Sequence, residues 1–94
     1  QEYLARESSV LYEENRQVNG LPVDLILKLH PAMASRLIFL EYERARGDNK
    51  DLEYKHIKII MDFLKRKTGR GKLDLPGKIQ LNLEKGYFYM ISGK

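Results

Sequence analysis

The sequence contains no cysteine. Disulfides, thiolate metal sites and cysteine nucleophiles are therefore excluded. Only two histidines are present, His30 and His56, far apart and without ligand spacing, so no metal site is expected. No apolar run approaches the roughly 20 residues of a membrane span, so no membrane partner is expected. The chain opens QEYLARESSVLYEENRQ, which is charged and unlike a signal peptide. It begins at Gln1 without an initiator methionine, and a piece of a longer protein is expected. No internal repeat or low-complexity run interrupts it.

What is present suits one small soluble domain. The chain has 94 residues, 43% hydrophobic and 32% charged, which argues for a packed core and against disorder. The net charge of +4 is unevenly placed. Residues 1–54 hold seven Lys/Arg against ten Asp/Glu, a net of −3. Residues 55–94 hold ten Lys/Arg against three Asp/Glu, a net of +7. A half so basic favours a polyanionic partner, most often nucleic acid.

Hydrophobic periodicity predicts a helix over 2–18, with Leu4, Leu11 and Val18 forming a narrow seven-residue stripe. Asn19, Gly20 and Pro22 stop it. VDLILKL fits a strand by alternation, but it has no hairpin partner nearby and runs into Pro31. A short helix is the preferred reading. The segment 31–46 is the clearest helix, started by Pro31 with help from His30 and ended by Gly47. Its apolar side carries Met33, Ala34, Leu37, Ile38, Leu40, Glu41 and Ala45. Asp51 is expected to cap a helix running to Thr68, with Ile57, Ile60, Met61 and Leu64 inward. The period then changes to two. Leu73 and Leu75 alternate, Pro76–Gly77 make a turn, and KIQLNLE and YFYMI form a hairpin around Lys85–Gly86. The expected fold is mainly α, with three to four helices and a C-terminal β-hairpin packed on them.

KRKTGRGK, residues 65–72, is the strongest functional candidate. Five of its eight residues are Lys or Arg, and its glycines allow close backbone approach to phosphates. The plainer reading is a solvated helix end and loop. A nucleotide-binding phosphate loop is rejected, because here the glycines follow a helix, precede a strand and lack the Ser/Thr after Lys72. Tyr87, Phe88 and Tyr89 suit base stacking, but cover for the helical core is the preferred role. Phe39 and Tyr42 lie near Arg36, Glu43 and Arg46 and form a candidate interface for RNA or another domain. Glu13, Glu14, Glu41, Glu43 and Glu53 are read as solvated, and His56 as half-buried and satisfied. No catalytic residue is expected.

The order of HPAMASRLIFLEYERA, then LEYKHIKIIMDFLKRKTGRGK, then LDLPGKIQLNLEKGYFYMI resembles the central helical domain of bacterial tRNA(Ile)-lysidine synthetases. GKLDLPGKIQL after a His-bearing helix is its most specific part, and Lys78 departs from it where a second glycine is expected. The resemblance covers residues 20–91. It implies a domain over 20–94 that holds tRNA, with residues 1–19 as a helix leading in from an N-terminal catalytic domain. The implied parent is a cytoplasmic ATP-dependent ligase that adenylates the wobble cytidine of tRNA(Ile) and joins lysine to it. ATP and Mg belong to that catalytic domain, whose S-G-G-x-D-S loop is absent here, so no cofactor and no activity are expected of these residues alone. The family's arginine matches Arg36, and its basic loop matches Arg70, Gly71 and Lys72. Lys65, Arg66 and Lys67 join the RNA-binding set on charge. The other reading is a domain that docks on its own enzyme through Phe39 and Tyr42 without touching RNA.

Overall fold

In a computed structural model, residues 2–17, 20–66 and 69–92 are described, with side chains from residue 6 onward. Four helices and a four-stranded antiparallel sheet appear among them. Helix α1 spans Glu2–Asn15. Strand β1, Leu21–Pro22, leads directly into the short helix α2, Val23–Lys28. Val23 and Ile26 are buried, which is why VDLILK coils rather than extends. Of the expected α1 stripe, Leu11 is half-buried against the core, while Leu4 and Val18 fall outside the described side chains.

Helix α3 spans Pro31–Arg46, as the sequence predicts. The His30 ring accepts the Ala32 N–H at Nδ1, 3.1 Å away, and so caps an N–H that the helix itself leaves unpaired. Gly47 closes the other end at φ 105°, its N–H donating to the Glu43 carbonyl. Helix α4, Tyr54–Arg66, starts later than expected. Asp51 is not its cap, because the Arg46 guanidinium draws its carboxylate away at 2.9 Å. Instead His56 reaches back and accepts the Glu53 N–H at Nδ1 over 2.9 Å, half of a capping box.

The mainly α expectation needs correcting in one respect. The β part is a full sheet, β2 (Gly71–Leu75), β3 (Ile79–Glu84) and β4 (Tyr87–Ser92), ordered β1-β4-β3-β2. Leu73 pairs with Leu81 and Leu75 with Ile79, so the alternating stretch before Pro76 becomes a third long strand. Leu21 and Pro22 pair with Phe88 and Tyr87 on the far edge of β4. A hairpin alone would leave both edges unpaired, and each added strand removes part of that liability. The β3–β4 turn places Lys85 at φ 53° and Gly86 at φ 82°, both left-handed, which matches the right-handed twist of the flanking strands.

Leu75, Ile79, Leu81, Leu83, Phe88 and Met90 line the inner face of the sheet and are buried. They close one core with Ala34, Leu37, Ile38 and Tyr42 of α3 and Ile57, Ile60 and Leu64 of α4. α3 lies against β4, and α4 against β2. The Pro76–Gly77 turn docks on the end of α3, where the Tyr42 hydroxyl donates to the Pro76 carbonyl over 2.7 Å. Gly77, at φ 76°, is required twice over, because a Cβ there would lie 2.7 Å from Tyr42 Oη and 2.8 Å from Arg46 Nε.

Glu41 is the main surprise. It is fully buried, not solvated. Its Oε1 accepts from Tyr12 Oη at 2.6 Å and from Arg16 Nε at 3.0 Å. Its Oε2 accepts from an Arg44 terminal nitrogen at 2.8 Å and from the Met90 N–H at 3.0 Å. The same Arg44 nitrogen donates to the Met90 carbonyl at 2.7 Å. Beyond the two residues that pair with β1, two side chains thus take over the ladder at the free edge of β4. Burial alone would raise the Glu41 pKa. Arg44, Arg16, Tyr12 and the Met90 N–H outweigh it and hold the carboxyl below its usual range. Burial, and then the bond to Glu41, push the Tyr12 hydroxyl up to about 12.

Candidate nucleic-acid interface

The amphipathic α4 separates two surfaces. Ile57, Ile60 and Leu64 turn inward, leaving Tyr54, Lys58, Ile59, Asp62, Lys65 and Arg66 exposed. The helix end places cations where the dipole favours them, and the start of β2 brings Lys72 alongside. All four described members of the 65–72 set, Lys65, Arg66, Arg70 and Lys72, are exposed. Lys67 lies outside the described residues.

They do not form one patch. Lys65 and Lys58 border a groove of about 610 Å³ between α3 and α4, floored by Ile57 and Met61. Arg66 and Lys72 border a second, of about 500 Å³, between α4 and β2, floored by Ile59, Phe63 and Leu73. Asp62 touches both grooves and leans toward Arg66 at 3.6 Å. Arg70 is engaged across the β2–β3 pair by Glu84 at 3.1 Å. Among the described residues, no acid lies within ion-pairing distance of Lys58, Lys65 or Lys72. Their charge is balanced by solvent ions, the condition for phosphate exchange.

The other candidates separate. Arg36 is half-buried on α3 and borders neither groove. Tyr42 is buried against the Pro76 turn, so it is closed to a docking partner. It follows Ile38 by one helical turn, the signal that would have placed it inward. Phe39 is half-buried and meets Tyr54 edge to face, ring centres 6.1 Å apart and planes at 80°. Tyr54 itself is 72% exposed. Phe88 is core, whereas Tyr87 and Tyr89 are half-buried on the outer face of the sheet. There Asn82, paired with Lys72 and Tyr89 on the neighbouring strands, keeps a buried amide nitrogen without a hydrogen-bond partner among the described residues.

Among the described residues no three His, Cys, Asp or Glu side chains converge to hold a metal ion. No described helix is long and apolar enough to cross a membrane.

No family model matches the chain, and no solved structure matches it. Over 83 residues the chain is 28% identical to the tRNA(Ile)-lysidine synthase of Caldanaerobacter subterraneus subsp. tengcongensis. The match takes in 84% of this chain and 18% of that synthase, so the chain spans less than a fifth of its relative's length. What the chain resembles is thus one segment of a tRNA(Ile)-lysidine synthase.

Proposed function

We propose that this chain is the tRNA-holding domain of a cytoplasmic tRNA(Ile)-lysidine synthase, with catalysis supplied by a separate domain that binds ATP and magnesium. The observation that carries this is the 28% identity to such a synthase over 83 residues. The basic surface supports it physically. Lys65, Arg66 and Lys72 stand exposed around the end of α4 and present charge to a phosphate backbone. Arg70 joins them by exchanging Glu84 for phosphate. Such an exposed ion pair contributes little and yields easily.

Residues 1–19 then lead in from the catalytic domain. Tyr12 of α1 and Arg16 just beyond it fasten this helix to Glu41, which supports a fixed lead-in. A rigid α1 would hold tRNA at a defined angle to the ligase centre. The rival reading, docking without RNA contact, needed Phe39 and Tyr42 together at the surface. The burial of Tyr42 leaves it only Phe39.

The test is binding of tRNA(Ile) to the chain at two salt concentrations. Affinity should fall steeply with salt. Replacing Lys65, Arg66 or Lys72 with Gln should each reduce the log–log slope by about one. Absence of binding at low salt, or a slope indifferent to these changes, refutes the proposal.

A further inference from the structure

The α3–α4 groove is lined mainly by apolar side chains, yet its border is cationic. Tyr54, Lys58 and Lys65 follow one another at four and seven residues, so they share one side of α4. Lys58 and Lys65 are separated by roughly 10 Å along the axis, from the 1.5 Å rise per residue. Tyr54 stands one turn before Lys58, and the Phe39 ring steadies it at 80°. A large aromatic ring at 72% exposure, touched on one side by Phe39, leaves much of its surface open to a flat ligand. Among the described residues Asp62 is the one acid bordering this groove, and its carboxylate leans to Arg66 on the far side.

An occupant must therefore be flat and apolar at one end of the groove and anionic along the other. We infer that the groove receives an unpaired nucleotide of RNA, its base stacked on Tyr54 and its flanking phosphates held by Lys58 and Lys65. This rests on the RNA-binding reading and deepens it by assigning unpaired nucleotides to a site other than the Arg66–Lys72 groove. Stacking on an aromatic ring tolerates any base, because each has a π-face. Bases within a duplex are already stacked and do not enter, so the groove distinguishes single-stranded segments from stems.

The test uses two short RNA-like strands of equal length and charge, an adenosine oligomer and its abasic counterpart, with fluorescence anisotropy as the readout. Tyr54→Ala should weaken the adenosine oligomer about fivefold or more and leave the abasic strand unchanged. Tyr54→Phe should restore the binding. Lys58→Gln with Lys65→Gln should weaken both strands and lower the salt slope by about two. Tyr54 is exposed, so an unchanged thermal midpoint checks that each variant folds. If Tyr54→Ala binds the adenosine oligomer as tightly as the parent while the salt slope persists, the stacking site is wrong and phosphate binding stands. If Tyr89→Ala abolishes the preference for bases instead, stacking belongs to the outer face of the sheet, and the inference is likewise overturned. If the parent chain binds neither strand at low salt but binds tRNA(Ile), this site is wrong and the RNA-binding reading stands; if it binds none of the three, both fail.

Discussion

The Glu41 junction and the α4 surface use the same kinds of residue in opposite ways. At the junction Arg16 and Arg44 converge on one buried carboxylate, and hydrogen bonds to Glu41 are the leading cause holding both guanidiniums protonated. On the α4 surface, Lys58 and Lys65, with Lys72 of β2 alongside, meet no acid among the described residues. The first set is committed to structure, because a buried carboxylate is tolerated only when each lone pair is satisfied. The second is held at the surface, where charge contributes little to folding and remains available to a polyanion. Counting charge along a chain does not separate these roles; desolvation does.

The sharpest break of this contrast is Glu41→Gln. It strands two guanidiniums at the junction and should destabilise the chain by about 3 kcal/mol in urea unfolding, the low end of the range for a broken buried pair because Arg16 and Arg44 reach water. The pH dependence follows the same carboxylate. Its folded pKa lies below the unfolded value, so its contribution is present above the ordinary carboxylate pKa and is lost as pH falls through the folded one. Glu41→Gln should flatten that acid limb. Tyr12 acts at the other extreme. Its pKa is raised, so its contribution is whole below about pH 10 and fades as pH rises toward about 12. Tyr12→Phe should remove that alkaline loss.

Gly77→Ala should cost about 2 kcal/mol by forcing a left-handed alanine into Tyr42 and Arg46, measured as a lower urea midpoint. At Lys78 the sign reverses. This residue holds φ 60°, a conformation a glycine would adopt more readily, so Lys78→Gly should stabilise by about 0.5 kcal/mol after the added chain entropy is deducted. Smallest of all, Lys65→Gln and Lys72→Gln should move stability by no more than about 0.5 kcal/mol while altering RNA binding. A stability loss there comparable to that of Glu41→Gln would erase the distinction between the two regions.

Several parts of this outcome are legible in the residues. Pro31 and Gly47 bound α3 because one lacks the N–H that a helix start leaves unused and the other accepts a positive φ. The hairpin around Lys85–Gly86 follows from period-two alternation. The departure at Lys78 marks a position where the backbone does turn left-handed. The third long strand was partly visible in Leu73 and Leu75, but β1 was not, since two residues carry no periodicity. Glu41 falls on the apolar side of its helix, between Leu37, Ile38 and Ala45, yet reads as solvated because no buried cation is visible nearby in the sequence. Nothing local identifies Arg16, 25 residues away, as its partner.

Sequence by itself determined the helix and strand periods, the ends of α3, the turns and the gathering of positive charge after residue 54, all of which depend on neighbours within a few positions. Tertiary structure decided which charges are neutralised and which remain at the surface. It set Lys65 on one groove and Arg66 and Lys72 on another, turned Tyr42 inward and left Tyr54 outward. The physical reason is that pairing and desolvation depend on distances in space, and those are set only once α1, α3 and β4 close around Glu41.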